Sequence, residues 1–474
     1  MITVEKETIA AISTPIGYGG IGIVRLSGPE SALIARKIFK KGNQKDWENQ
    51  KKISDLTTKT FLPRRLQHGY IVDPETKTIP NEVLMVFMPS PNSYTREDVI
   101  EIQAHGGTAA LKSILEIVIK NGARLAEPGE FTRRAYINGR IDLSQAEAVI
   151  DIINAKNEAS LKIASRNLEG DVGKITGEIR NGLLEIEAMI ESQIDFPEEV
   201  EETIDIKEIQ KKISQEILEP IKKILEGYKY GHFLREGAKI VIQGRTNVGK
   251  SSLLNRFMER ERAIVTPFPG TTRDSIEESL PILGVPAVVV DTAGRRNTKD
   301  PIEKIGIDRS RELALNADLV LFMIDAATGV VEEDETLYEE IKKKEKILVI
   351  NKNDLIRDDI DIKVPQQWQI EEMQYTSAKY GNGIKELKEK IYKKLVSSKN
   401  LTETEVVPTL RQKNLFERAQ NAIDTAIRGL DEKIQPELIV IDIKEAMAAL
   451  NEVTGDFVKQ DILDEIFSRF CIGK

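Results

Sequence analysis

Short runs of alternating apolar and polar residues open the chain. Glu7–Ser13, Gly20–Gly28, His68–Val72 and Glu82–Met88 read as strands, and another opens at Thr95 and runs to Gln103. Ser31–Phe39 and Gly107–Asn121 carry the three-and-four spacing of amphipathic helices, and the polar stretch 41–58 reads as a surface loop. Residues 1–122 are therefore expected to form an α+β domain. From Gly129 the period changes. Phe131, Leu143, Ala146, Val149, Ile150 and Ile153, and later Leu183, Ile186 and Ile190, fit a run of long helices, broken at Asp195–Glu199. A second helical stretch runs from Ile206 to Tyr228. Residues 237–397 alternate strands with helices, with strands at 239–243, 287–291, 319–324 and 346–350, as in a doubly wound parallel sheet. Glu403–Lys474 is helical again.

Two helical parts, 123–236 and 398–474, thus flank the α/β unit. The simplest arrangement inserts that unit into one helical domain, because the two parts then bury each other's apolar faces. Two separate bundles are the alternative.

Composition narrows the classes. A chain of 474 residues exceeds one core. A net charge of −9 argues against bulk non-specific nucleic-acid binding, though not against a local basic patch. The single cysteine, Cys471, excludes an internal disulfide framework and suits a reducing compartment. The first residues have no apolar signal core, and no run of about eighteen apolar residues occurs, so the expectation is cytoplasmic with no membrane partner. The ending Cys471-Ile-Gly-Lys474 fits a prenylation box poorly.

The chemistry centres on Gly244-Arg-Thr-Asn247-Val248-Gly249-Lys250-Ser251, followed by Ser252. It fits the phosphate-loop pattern, with a buried strand before it and a helix after it. Backbone N–H groups and the helix N-terminus would close around an anion. Lys250 would reach the β- and γ-phosphates and Ser251 would ligate Mg2+. Glycines 17, 19, 20 and 22 also invite a dinucleotide-loop reading, but no helix follows at the right offset.

Four further motifs follow in order. Thr272, within Thr271-Thr-Arg-Asp274, would complete Mg2+ coordination. Asp291-Thr292-Ala293-Gly294 ends a strand, with Asp291 suited to an outer contact with Mg2+ and the Gly294 N–H to sensing a γ-phosphate. In Asn351-Lys352-Asn-Asp354 the aspartate can accept both guanine N–H groups, which adenine does not offer. Ser377-Ala378-Lys379 would back the base. Together the five motifs predict a Ras-like P-loop GTPase. The position after Gly294 is Arg295, where many GTPases carry a water-orienting glutamine, so another group must place the water. Glu303 is a candidate, with a solvated helix carboxylate as the plainer reading.

The chain also resembles a known family. Tyr18–Arg25, Asn92–Asp98, Phe131–Leu143 and the Phe470–Lys474 terminus, together with the GTPase motifs, are similar end to end to the MnmE (TrmE) family of bacterial tRNA-modifying GTPases. That resemblance implies a homodimer formed through the N-terminal domain. It implies a one-carbon carrier, 5-formyl- or 5,10-methylene-tetrahydrofolate, held by Arg25, Glu101, Arg140 and Lys474. It implies K+ bound by Asn247 with Thr266, Phe268 and Thr271, of which Asn247, Thr266 and Thr271 also line the GTP site, and Glu303 as the water-orienting carboxylate beside catalytic Lys250. Cys471 matches a family cysteine that is either a functional thiol or a packed one. The implied partner is an FAD-dependent subunit, MnmG, in a heterotetramer or larger complex. With it the wobble uridine of certain tRNAs would gain an aminomethyl or carboxymethylaminomethyl group. The rivals are a ribosome-assembly or RNA-chaperone GTPase, a membrane-remodelling GTPase and a signalling switch. The first lacks an evident basic appendage, the second a lipid-facing segment, and the carrier-site residues argue against the third.

Overall fold

The computed structural model describes residues 7–15, 17, 19–42, 61–78, 81–155, 157–195, 206–259, 277–283, 285–291, 313–356, 362–395 and 406–474. The chain divides into two compact units. One comprises Met1–Ile150, Asn167–Ile204 and Asn421–Lys474; the other comprises Asp151–Arg166 and Asp205–Gln420.

In the first unit, β1 (Ile9–Ile12), β2 (Gly22–Ser27), β3 (Phe39–Lys41), β4 (Gln67–Ile71), β5 (Asn81–Met88), β6 (Val99–Ala104) and β7 (Arg124–Leu125) form one sheet in the order β3-β4-β5-β6-β2-β1-β7. Every pairing is antiparallel except β1 with β7. Alternation explains the sheet: Val24, Leu26, Met85, Ile100 and Ile102 turn to one face and are fully buried. There they meet Ile34, Ala35 and Ile38 of α1 (Ser31–Ile38) and Leu111, Ile114 and Val118 of α2 (Thr108–Lys120).

The chain continues through α3 (Glu130–Ile137), α4 (Leu143–Asn154), α5 (Glu158–Glu169) and α6 (Asp171–Asp195). The first three are shorter than the long helices read from the sequence. Gly139, with a φ of 68°, and Gly170, with 101°, adopt left-handed backbone between them.

Helix α6 packs along a late helix, Pro436–Thr454, whose N-terminal proline and left-handed Gly455 mark its ends. The last helix, Gln460–Ser468, buries Leu463, Ile466 and Phe467 against Ala135, Leu143 and Ala146. Each such side chain contributes about 1.5–3 kcal/mol. The chain's end then returns to the N-terminal sheet region. Ile472 bridges Pro128, and the Phe131 N–H donates to Lys474 O at 3.1 Å.

A buried polar knot fixes the start of α3. Arg134, 4% exposed, donates to Glu130, Glu97 and the Glu7 carbonyl, and Arg124 forks onto Glu130. Burial alone would raise the Glu130 carboxyl, but hydrogen bonds from Arg124, Glu127 N–H and Arg134 hold it below its ordinary value of 4.5. A depressed folded pKa contributes stability that is present above the unfolded value and lost as pH falls through the folded one. Glu130→Gln is therefore expected to lower the urea midpoint at about pH 7 and to lose that deficit as the pH falls below about 4. An undiminished deficit in urea melts at low pH would count against this origin.

The second unit holds α7 (Ile206–Lys212), a π turn (Ile213–Leu218) and α8 (Glu219–Glu236), which outruns the expected end at Tyr228. A six-stranded sheet follows: β8 (Ala238–Gln243), β9 (Glu277–Ile282), β10 (Val285–Asp291), β11 (Leu319–Asp325), β12 (Lys346–Asn351) and β13 (Met373–Thr376), ordered β13-β12-β11-β8-β10-β9. The four strands read from the sequence and β13 run parallel, as expected, and β9, which the sequence did not show, adds an antiparallel edge beside β10.

Strand β11 is buried at every position, as a central parallel strand covered on both faces should be. Its odd-numbered residues Leu319, Leu321 and Met323 join α9 (Lys250–Glu259) and α11 (Ile384–Leu395). Its even-numbered residues Val320, Phe322 and Ile324 join α10 (Glu332–Ile341) and Trp368. After the sheet, the next helix, Leu410–Asp431, starts later than the expected Glu403; residues 406–409 are not helical and bury Val406 and Val407.

Candidate nucleotide and one-carbon sites

Strand β8 delivers the chain into a loop at Gly244 and helix α9 leaves it at Lys250, the strand–loop–helix context the motif requires. Val248 is buried at 1% exposure and anchors the loop to the core, while Asn247 is exposed with a φ of 64°. Gly249 has a φ of 103°, and a Cβ there would lie 2.3 Å from Asn351 Nδ2. Only glycine fits. The Lys250 ammonium folds back on the loop, donating to Gly244 O at 2.5 Å and Arg245 O at 2.8 Å. Ser251 and Ser252 are exposed in the first turn of α9.

Asn351, 2% exposed at the end of β12, ties three elements together. Its Nδ2 donates to Val248 O at 2.8 Å, and its Oδ1 accepts from Ala378 N at 2.9 Å and Thr376 Oγ1 at 3.2 Å. One side chain thus fixes the spacing between the phosphate loop and the loop expected to hold the base. Lys352 takes left-handed backbone at 65° and its ammonium pairs with Asp325 at 2.7 Å. Asp354 accepts from Ser377 Oγ at 2.6 Å, which orients its carboxylate. Lys379 is exposed, with its ammonium 5.0 Å from the Tyr380 ring centre.

The structure therefore brings Asn247 through Ser252, Asn351, Lys352, Asp354 and Ser377 through Lys379 to one end of the sheet, beyond the carboxyl ends of β8 and β12. Asp291 closes β10 at the same end, paired with Ile242, and its side chain lies outside the described residues. Thr266, Phe268, Thr271, Thr272, Thr292, Ala293, Gly294, Arg295 and Glu303 also lie outside them.

Two supports were missed in the sequence. Arg256 of α9 donates to the carbonyls of Ala378 and Lys379, pinning that loop from behind. Arg245 pairs at 3.4 Å with Asp334, a fully buried residue whose carboxylate also accepts from Val331 N at the start of α10. Burial pushes the Asp334 carboxyl above its ordinary value, against the pull of that N–H and of Arg245. No short pattern announces such pairs, since each joins segments remote in sequence.

The first unit carries a second cluster. Arg25 of β2 pairs with Glu101 of β6 at 2.8 Å, directly across the ladder. Its guanidinium lies 5.8 Å from the Tyr94 ring centre and 5.7 Å from that of Phe131, and it donates to Gly473 O at 3.4 Å. The Arg140 guanidinium lies 4.7 Å from the Tyr94 ring centre and donates to the Tyr94 carbonyl. Gly473, with a φ of 95°, lets the tail pass Ile12 O, where a Cβ would approach to 2.4 Å. Arg25, Glu101, Arg140 and the Lys474 backbone are thus gathered, with Tyr94 as an aromatic floor that the sequence reading did not single out. Cys471 is a free, exposed thiol rather than a packed one.

Among the described residues, no group of three His, Cys, Asp or Glu forms a metal cage, and no helix is long and apolar enough to cross a membrane. Mg2+ in a phosphate loop needs no such cage, because one hydroxyl and the phosphates supply its oxygens.

Two family models together match nearly the whole chain. A family described as the MnmE helical domain matches residues 143–471, and one described as the GTP-binding protein TrmE N-terminus matches 8–140. The tRNA modification GTPase MnmE of Carboxydothermus hydrogenoformans is 43% identical over 471 residues, covering 99% of this chain and 100% of the relative. The protein of the same name from Desulforamulus reducens is 42% identical, covering 99% of each. Among solved structures, Aquifex aeolicus Era bound to GDP.AlF4- is 27% identical, over 39% of this chain and 66% of that one, with a TM-score of 0.27. On both family matches and on identity sustained along its full length, this chain belongs to the MnmE (TrmE) family of GTPases.

Proposed function

We propose that the chain is a GTP hydrolase that acts in tRNA modification, with an α/β nucleotide domain at 237–397 set into a helical domain at 123–236 and 398–474, behind an N-terminal domain at 1–122. The carrying observation is Asn351, whose amide holds the phosphate loop and the Ser377–Lys379 loop at a fixed separation. That separation suits one purine nucleotide with its phosphates at Gly249 and its base at Asp354.

Mg2+ fits Ser251 and Thr272. K+ fits Asn247, with Thr266, Phe268 and Thr271, and would supply positive charge beside the phosphates where other GTPases use an arginine. Hydrolysis is expected to run several-fold faster in K+ than in Na+, read as phosphate release in matched salts; equal rates would remove K+ from the mechanism. Glu303 orients the attacking water. Glu303→Ala should slow turnover by about a hundredfold or more while GTP affinity holds within a few-fold. Turnover at the wild-type rate would return Glu303 to the solvated surface.

In the N-terminal domain, Arg25, Glu101, Arg140 and Lys474 bind a tetrahydrofolate carrying one carbon. Tyr94 supports this reading, since a flat ring beside an Arg–Glu pair matches a flat, hydrogen-bonding heterocycle. The working assembly is a cytoplasmic homodimer with an FAD-dependent partner, MnmG, modifying carbon five of the wobble uridine. Nucleoside analysis of tRNA from cells lacking this protein tests the whole reading. Loss of the carbon-five group is expected, and its full retention would overturn it.

A further inference from the structure

Most well-placed arginines of this acidic chain are matched by carboxylates. Arg25 meets Glu101, Arg124 meets Glu7 and Glu130, Arg134 meets Glu97 and Glu130, and Arg235 meets Asp151. One surface of the N-terminal sheet region departs from that pattern. Arg64, Arg96 and Arg140 are exposed, and each gives its guanidinium to a backbone carbonyl. Arg64 Nη2 donates to Asn92 O at 3.1 Å, Arg96 Nη1 to Asn138 O at 2.9 Å, and Arg140 Nη1 to Tyr94 O at 3.3 Å.

The three therefore ring one loop, 92–96, and exposed Arg65 adjoins Arg64. The carboxylates that follow in the chain are occupied elsewhere. Glu97 is held by Arg134 and Ser27, and Asp98 accepts from Ser90 N. None of these four arginines has an ion-pair partner among the described residues.

Backbone conformation adds a second sign. Arg64 and Arg96 take left-handed φ angles of 57° and 60°. Residues with a Cβ occupy that region at a cost of about 1 kcal/mol, and such positions gather at ligand-binding segments. Each guanidinium carries five N–H donors and uses one on the protein. The remaining donors form planar forks suited to phosphate oxygens.

We propose that this arginine loop is the docking surface for the sugar–phosphate backbone of RNA, namely the tRNA of the function proposed above, on which this inference rests. The chemistry favours RNA over an acidic peptide in two respects. The Tyr94 ring, 4.7 Å below Arg140, interleaves an aromatic face with the charges, as nucleic-acid surfaces do. Tyr94 also borders Arg25 and Glu101, so an RNA held on the loop has its exposed bases at the entrance to the proposed carrier site. The net charge of −9 makes the chain as a whole unattractive to polyanions, so a local cluster of arginines without carboxylate partners is what such a ligand needs.

The test is binding of unfractionated tRNA to the full chain across a salt series, with the triple variant Arg64→Asn, Arg65→Ala, Arg96→Asn. Asparagine tolerates positive φ, so the first and third changes remove charge without demanding a new backbone. Arg140 is left intact because it belongs to the proposed carrier site. The triple variant is expected to bind tRNA about tenfold or more weakly, with the slope of log affinity against log salt smaller by about two. Its GTP hydrolysis should be unchanged, and the Arg→Lys version of the same triple should keep most of the slope. Equal affinity and slope in wild type and variant would overturn the proposal alone. Lost affinity for a polyglutamylated tetrahydrofolate with tRNA binding intact would also overturn it, making the loop a site for the carrier's tail. Absence of tRNA binding by the wild-type chain would overturn this proposal and the tRNA reading beneath it.

Discussion

Asp354→Asn is expected to weaken GTP binding by about a thousandfold while raising affinity for xanthosine triphosphate. The Asp354 carboxylate accepts the Ser377 hydroxyl at 2.6 Å, which fixes its orientation in the loop proposed to hold the base. A carboxylate so placed accepts both N–H groups that guanine presents. An amide offers one acceptor and one N–H donor, so the guanine amino group meets a donor and loses its partner. A buried hydrogen-bonding group left unpaired is what separates related substrates by about 10⁴ or more in such sites. Xanthine carries an oxygen where guanine carries the amino group, and the amide complements it. Titrations of both nucleotides against both proteins check this. GTP affinity unchanged in the variant would remove Asp354 from the base contact.

Gly249→Ala should be the more damaging change at the phosphate end. The left-handed backbone at Gly249 costs a residue with a Cβ about 1–2 kcal/mol. The new methyl would also meet Asn351 Nδ2 at 2.3 Å. Asn351 must then leave Val248 O, and its hold on Ala378 N is disturbed with it. A buried donor without a partner adds about 1–3 kcal/mol. Phosphate loop and base loop lose their common strut, so GTP affinity should fall by more than about a hundredfold. The change reaches only the last residue of β12 and leaves the apolar interior of β8, β11 and β12 in place, so the far-ultraviolet spectrum should stay that of the wild type. Wild-type nucleotide affinity in Gly249→Ala would show that Asn351 is not the coupling element.

The same residues show why some of the structure was legible beforehand. Strands β8, β10, β11 and β12 are near-continuous apolar runs, with β8 leading into the phosphate loop and β10 and β12 ending at motif residues, and a buried parallel strand must read so. Strand β9, Glu277–Ile282, carries Glu277, Glu278 and Pro281, because an edge has one neighbour and needs less apolar surface. Periodicity gives no notice of it. Strand β13 has four residues, too few to show a period. The phosphate loop, Asn351, Asp354 and Ser377 were visible because their spacing is local. Arg256 behind Ala378, Asp334 beneath Arg245 and Tyr94 beneath Arg25 were not, since those contacts join segments brought together only by folding. The return of Lys474 to Phe131 has the same character, and only the resemblance pointed to it.

The account depends on a guanine nucleotide seated between Gly249 and Asp354. Calorimetric titration of the purified full chain with GTP and with ATP, each with Mg2+, addresses that directly. Uptake of one GTP per chain with no measurable uptake of ATP is the predicted result. Failure to take up GTP by a chain whose helical spectrum is intact, or equal uptake of ATP, would contradict it.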